Sequence, residues 1–138
     1  MSGYARTSNL AAYQSAAAHG GVAASDPHRL IVMLMDGALE RIATARGCMQ
    51  RGETTEKARL LNRTVSIVGE LRGSLDLSAG GQIAANLGDL YDYMARQLLT
   101  AMSTNQTDLL DEVSKLLNEL RGAWVSIPAA ARTRPVSP

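Results

Sequence analysis

Chemistry in a short chain starts from histidines, cysteines and carboxylates close enough to act together, and the 138 residues hold two histidines and one cysteine. His19 and His28 sit around the start of the first helical pattern, with no Cys or carboxylate at ligand spacing to either. The Glu-x-x-His pattern, which places two metal ligands on one inward face of a di-iron bundle, does not occur. Both histidines are therefore expected to be ordinary surface side chains. Cys48 cannot close an intrachain disulfide by itself and is expected to be a small buried apolar residue in a reducing compartment. Asp36 and Glu40 stand one helical turn apart and could suggest a carboxylate pair, but Arg41 and other arginines are near, so a solvated face with ordinary pairing is expected. The paired glycines of "HGG" and "AGG" lack the Lys-Ser/Thr of a phosphate loop and read as turns. Nothing local supports a Ser-His-acid arrangement, and a small packed helical domain has little room for a substrate pocket. The chain is expected to be no enzyme, with no metal and no cofactor.

The residues that stand out are aromatic. The stretch "NLGDLYDYMARQLL" carries two of the five aromatic residues, Tyr91 and Tyr93. Two residues apart on a helix point about 200° away from each other, so both cannot face one core. Tyr91 flanks Leu87, Met94 and Leu98 and leans toward an apolar face. Tyr93 shares its side with Asn86, Asp89, Gln97 and Thr100 and looks outward.

Four amphipathic segments position these residues. From Asp26 to Arg51 the stripe Ile31, Met35, Ala38, Ile42, Ala45 and Met49 has helical period, with Asp26 as N-cap, Pro27 at the first helical position and Gly52 as terminator. A second helix is expected over 54–76 on Leu61, Val65, Val68, Leu71 and Leu75, with Leu60 and Ile67 beside that stripe. "SAGGQ", Ser78 to Gln82, is a breaker. Ile83, Leu87, Leu90, Met94 and Leu98 then mark a third helix over 82–103. Asn105 and Asp108 stand in a capping-box-like relation ahead of a fourth helix over 106–126, striped by Leu110, Val113, Leu117, Leu120 and Trp124. Pro128 stops it.

Helices of this length joined by short loops predict an all-α domain, an antiparallel up-down four-helix bundle over 26–127. Between Ala5 and His19 the only large apolar side chains are Leu10 and Tyr13, so residues 1–25 are expected to be mobile or loosely docked; residues 128–138 are expected to be a disordered tail. A net charge of +1 with both signs mixed along the chain argues against a nucleic-acid partner. No run approaches the roughly 20 apolar residues of a membrane span, and the start lacks the pattern of a secretory signal, so a soluble protein is expected. With no Phe, the core must be built from Leu, Ile, Val, Met and Ala.

The apolar residues exceed one stripe per helix. Val32, Met33, Leu39, Leu60, Ile67, Leu109 and Leu116 fall at its edges. Most are accounted for by the wide apolar arc that bundle helices need. The remainder could leave a groove that receives a segment of a partner.

"SDPHRLIVMLMDGAL" in the first helix, "AGGQIAANLGDLYDYMARQLL" through the third and "DEVSKLLNELRGAW" in the fourth together resemble the flagellin-specific export chaperone family, FliS. The resemblance spans residues 24–127 in order and spacing, and Tyr13 falls where that family has a tyrosine in its N-terminal segment. Two departures stand out: Asp26 lies between Ser25 and Pro27 where the family usually reads Ser-Pro-His, and Met35 stands where an aromatic residue is common. The resemblance implies a cytoplasmic four-helix chaperone, monomeric or weakly dimeric. Its partners would be the disordered C-terminal segment of flagellin and the flagellar export gate, and it would have no catalytic step. It implies Tyr13 as anchor of a lid over the client groove, and Tyr91 and Tyr93 as groove or rim contacts. Met33, Leu60 and Ile67 join the client-binding set because they stand off the main stripes. A self-associating helical adaptor with no flagellin client is the alternative.

Overall fold

The computed structural model describes residues 26–127, the side chains of 77–79 excepted. The expected lid with Tyr13, the residue His19 and the expected tail lie outside the described residues. Within them the chain forms four helices: α1 (Pro27–Arg51), α2 (Thr54–Gly73), α3 (Leu77–Thr104) and α4 (Thr107–Val125). Consecutive helices pack against each other, and α4 closes the ring on α1. Cross-helix pairs give the directions. His28 meets Trp124 and Arg46 meets Asp111, so α1 and α4 run antiparallel. Arg72 meets Asp92 and Lys57 meets Met102, so α2 and α3 do too.

The helix ends follow local chemistry. The Asp26 carboxylate accepts the Arg29 N–H at 3.2 Å, and Pro27 occupies the first turn, where a missing N–H costs nothing. Gly52 ends α1 in the left-handed region (φ 74°), and the Glu53 N–H reaches back to the Cys48 carbonyl at 2.8 Å. Elsewhere the boundaries differ from expectation. α2 stops at Gly73, where the Ser74 side chain and N–H both bond the Leu71 carbonyl; Leu75 therefore lies in the link and not on the helix. Helical structure resumes at Leu77, and the expected breaker is a kink at Gly81 (φ 56°, ψ −132°), a backbone shape that favours glycine.

The expected capping box is absent. Gln106, not Asn105, caps α4, and without a side-chain bond. Asn105 instead ends α3 with φ 59°, its N–H bonded to the Ala101 carbonyl, and its side-chain oxygen accepts from Lys57. Lys57 is 7% exposed, and its ammonium also donates to the Met102 carbonyl at 2.9 Å. A cation is well placed there, against the negative end of a helix dipole.

The core is built as composition required, from Leu34, Met35, Ala38, Ile42, Leu61, Leu71, Met94, Leu98, Leu110, Val113 and Leu117, with Cys48 buried among them as expected. Two stripes rotate. On α3 the buried position is Ala84, while Ile83 is 73% exposed because it sits just past the kink, at the end of the bundle. On α2 Ile67 is buried and Val65 only half so. That helix is clamped between α1 and α3, which widens its buried arc. Ile67 reaches α1 beside Gly37: a Cβ there would lie 3.8 Å from the Ile67 Cδ1, ordinary van der Waals contact.

His28 is not a surface side chain. It is buried, and its ring stacks on Trp124 with centroids 5.4 Å apart. His28 Nε2 lies 2.5 Å from the Trp124 carbonyl, and Trp124 Nε1 donates to the His28 carbonyl at 3.1 Å. Asp36 also departs from expectation, pairing across helices with Arg121 at 2.5 Å, while Arg41 turns back to the Gly37 carbonyl. The reason is common to both: α4 lies along α1 and supplies partners that no local spacing reveals.

Candidate functional site

A cleft of about 230 Å³ opens between α2 and α3. Val65, Val68, Gly69 and Gly73 form its α2 wall, and Tyr91 and Ala95 form its α3 wall. The two glycines carry no side chain into the space, which is one reason it stays open. At its rim the Arg72 guanidinium donates to Asp92 Oδ1 at 2.7 Å. Tyr91 is 4% exposed, and among the described residues its hydroxyl makes no hydrogen bond. Burial pushes its phenol up from the ordinary value.

Tyr93 points the other way, as the helical angle demanded, but it is not an idle surface ring. Its hydroxyl donates to Glu112 Oε2 on α4 at 2.7 Å, and Gln97 Nε2 donates to Glu112 Oε1 at 3.1 Å. The Arg96 guanidinium lies 6.0 Å from the ring centroid. The tyrosine therefore ties α3 to α4 while its ring stays half-exposed.

The Tyr93 hydrogen bond, followed by that of Gln97, holds the Glu112 carboxyl below its ordinary range; Arg46 does the same for Asp111. A depressed folded-state pKa contributes stability above the unfolded value and loses it as pH falls through the folded one. Stability is accordingly expected to drop as pH falls below about 4.3, the unfolded glutamate value. Tyr93→Phe should make that acid-side loss shallower. Urea unfolding of both proteins between pH 7 and 3 checks this; equal slopes would show that the Tyr93 to Glu112 bond contributes nothing to the titration.

The remaining sequence candidates divide. Met33 is 45% exposed on the outer side of α1. Leu60 and Ile67, expected as client contacts, are 7% and 3% exposed and belong to the core, because the clamped helix α2 buries both sides of its apolar arc. The structure brings together Tyr91 with the cleft and Tyr93 with Glu112, and places Met33 apart from both on another helix. Sequence reasoning missed Val65, Gly69, Gly73 and Ala95 as cleft residues. Their small size on facing helices was the available signal, but only pairing α2 with α3 gives it meaning. Among the described residues no group of three or more His, Cys, Asp or Glu could hold a metal ion, and no helix is long and apolar enough to cross a membrane.

The family described as flagellar protein FliS matches this chain over residues 9–131. The chain belongs to the FliS family. The match takes in the whole bundle and reaches back past Tyr13. Among FliS relatives, the flagellar secretion chaperone FliSB of Pseudomonas aeruginosa is 46% identical over 115 residues, covering 83% of this chain and 91% of its own. The flagellar secretion chaperone FliS of Salmonella typhimurium is 37% identical, covering 90% and 93%, and that of Vibrio cholerae is 36% identical, covering 87% and 88%. Coverage of this extent on both sides means that the compared proteins share one architecture from end to end of the bundle. The FliS assignment agrees with the all-helical fold.

Proposed function

We propose that this chain is a cytosolic export chaperone that binds the disordered C-terminal segment of flagellin, prevents its premature polymerisation and hands the subunit to the flagellar export gate. The observation that carries this reading is membership of a family whose relatives, matched along nearly their whole length, are named flagellar secretion chaperones. No step of it requires catalysis. A disordered client can wrap a large surface, and ordering it costs about 2–5 kcal/mol, which keeps the complex releasable. Met33, Tyr91 and Tyr93 are proposed as client contacts, supported by the exposure of Met33, the cleft beside Tyr91 and the half-exposed ring of Tyr93. Tyr13 is proposed as anchor of a lid that lies over the groove when no client is bound and lowers apparent affinity by occupying it.

The test is titration of the purified chain with a flagellin C-terminal peptide, with mass measured by light scattering. A one-to-one complex at micromolar concentration is expected. A concentration-independent dimer that ignores the peptide would replace this reading with a self-associating adaptor. Removing residues 1–20 should leave the bundle folded and change client affinity; loss of the fold would make that segment structural instead.

A further inference from the structure

We infer that residues 118–127, the second half of α4, form a latch: they open as one unit while α1, α2, α3 and the first half of α4 stay folded, and the clasp of Trp124 on His28 is the catch. What opens is one side of the bundle, whatever client it serves.

In three helices burial runs along most of the length. α1 is buried from His28 to Met49, α2 from Lys57 to Leu71 and α3 from Ala84 to Ala101. The last helix differs. Leu110, Val113 and Leu117 are buried, and beyond Leu117 no residue up to 127 is. Leu120, Arg121 and Trp124 are half-buried there, and most of the others are exposed. A helix in a bundle is held mainly by the apolar face it buries, so this half is held by little.

Local chemistry does not offset the loss. Gly122 lies inside the helix, where glycine is weaker than Ala, and a Cβ there would meet nothing within 4 Å. The last turn carries no basic side chain to meet the negative end of the helix. Arg121 and Asp36 are each more than a third exposed, so their pair contributes little. What remains is at the tip. The Trp124 ring stacks on His28 with centroids 5.4 Å apart, its Nε1 donates to the His28 carbonyl at 3.1 Å, and His28 Nε2 lies 2.5 Å from the Trp124 carbonyl.

A helix end that frays is loosest at its last residues. Here the tip is pinned and the stretch behind it is not, so release of one catch frees the whole stretch together. Opening bares Leu120 on the latch itself. On α1 it bares Val32 and Leu39, which stand at helical spacing on the face that carries Asp36 and are half-buried in the closed bundle. The closed ring therefore conceals an apolar side that the open state presents.

Amide hydrogen exchange on the full chain, followed residue by residue by NMR, tests the latch. Amides of 119–125 are expected to exchange at least about tenfold faster than those of Leu61 and Leu71, with one shared protection factor and almost no response to about 1 M urea, because opening exposes little surface. Gly122→Ala should slow exchange across the stretch about fivefold, and Trp124→Phe, which loses the indole donor, should speed it about fivefold. Leu60→Ala lies on α2, outside the latch. It should speed the core amides about thirtyfold or more and leave those of 119–125 unchanged, since it weakens the open and closed states alike.

Protection that declines steadily toward residue 125 would mean fraying and overturn the latch. So would a common response of both sets of amides to urea or to Leu60→Ala, which would mean that the bundle opens only as a whole. No change in 119–125 with Gly122→Ala or Trp124→Phe would overturn it as well. Should Leu60→Ala fail to fold, the urea response of the wild type decides the same question. None of these measurements involves flagellin, so their failure leaves the chaperone reading intact.

Discussion

Ile67→Ala is expected to lower the stability of the bundle by about 2–4 kcal/mol, the usual cost of deleting a buried isoleucine in a site that cannot collapse. Ile67 is almost fully buried, and its Cδ1 reaches to within van der Waals contact of the space over Gly37 on α1. Ile67 is packed within the core cluster, so the cavity left by the side chain has packed neighbours on its sides. For a domain of about 100 residues this corresponds to a fall in melting temperature of roughly 10–20 °C. Thermal and urea unfolding of the purified variant measure it, with Leu60→Ala as a companion expected to behave in the same way. The comparison has a functional edge. Both residues stand off the simple stripe of α2, where a client contact was an open reading, and both are packed inside. A variant that keeps its stability but loses flagellin peptide binding would put Ile67 back on the client surface.

The second large effect is expected at the junction of the first and last helices. Trp124→Ala removes the ring stacked on His28 and the indole N–H that donates to the His28 carbonyl, and it exposes a histidine that is otherwise buried. A loss of about 2–3 kcal/mol is expected: below the range for a fully buried tryptophan because Trp124 keeps part of its surface in solvent. Trp124→Phe separates the two contributions. It preserves a ring against the imidazole and loses only the donor, so about 1 kcal/mol should go. Equal losses for Phe and Ala would show that the stack contributes nothing. Arg121 to Asp36 and Arg46 to Asp111 extend the same seam, but they lie on the surface, where such pairs are worth little. The clasp at His28 is the part of the seam whose removal should be felt.

The resemblance and the periodicity of the sequence led to the same architecture, and the reasons are local. Asp26, Pro27 and Gly52 mark the ends of α1 because a cap carboxylate, a missing N–H and a left-handed residue act on the few backbone groups nearest them. The stripe on α4 held for a similar reason: Leu110, Val113 and Leu117 are buried where a 3.6-residue period puts them. The angle between Tyr91 and Tyr93 is likewise a property of one helix, so the inward and outward assignments follow from their spacing alone. The resemblance of the three quoted stretches to the FliS family was also a property of the chain, and the match over residues 9–131 takes in all three stretches.

What failed was whatever depended on a second helix. Asn105 sits in a capping pattern by spacing, but Lys57, far away in the chain, takes its side-chain oxygen. His28 looks like a surface residue until α4 brings Trp124 to it, and Asp36 looks paired with its neighbour until Arg121 arrives. Ile83 keeps the period of α3 but falls beyond the end of the packing surface, where period no longer implies burial. The cleft is the clearest case. Gly69, Gly73 and Ala95 are unremarkable along the chain and become a space only when α2 and α3 lie side by side. By itself the sequence determined the helices, their order, the inward faces of α1 and α4 and the family, because these arise from forces between residues within a turn or two. Tertiary structure alone decided which polar groups are satisfied and which are left open. Hydrogen bonds and voids are made between elements, and no spacing along one helix encodes the neighbour that completes them.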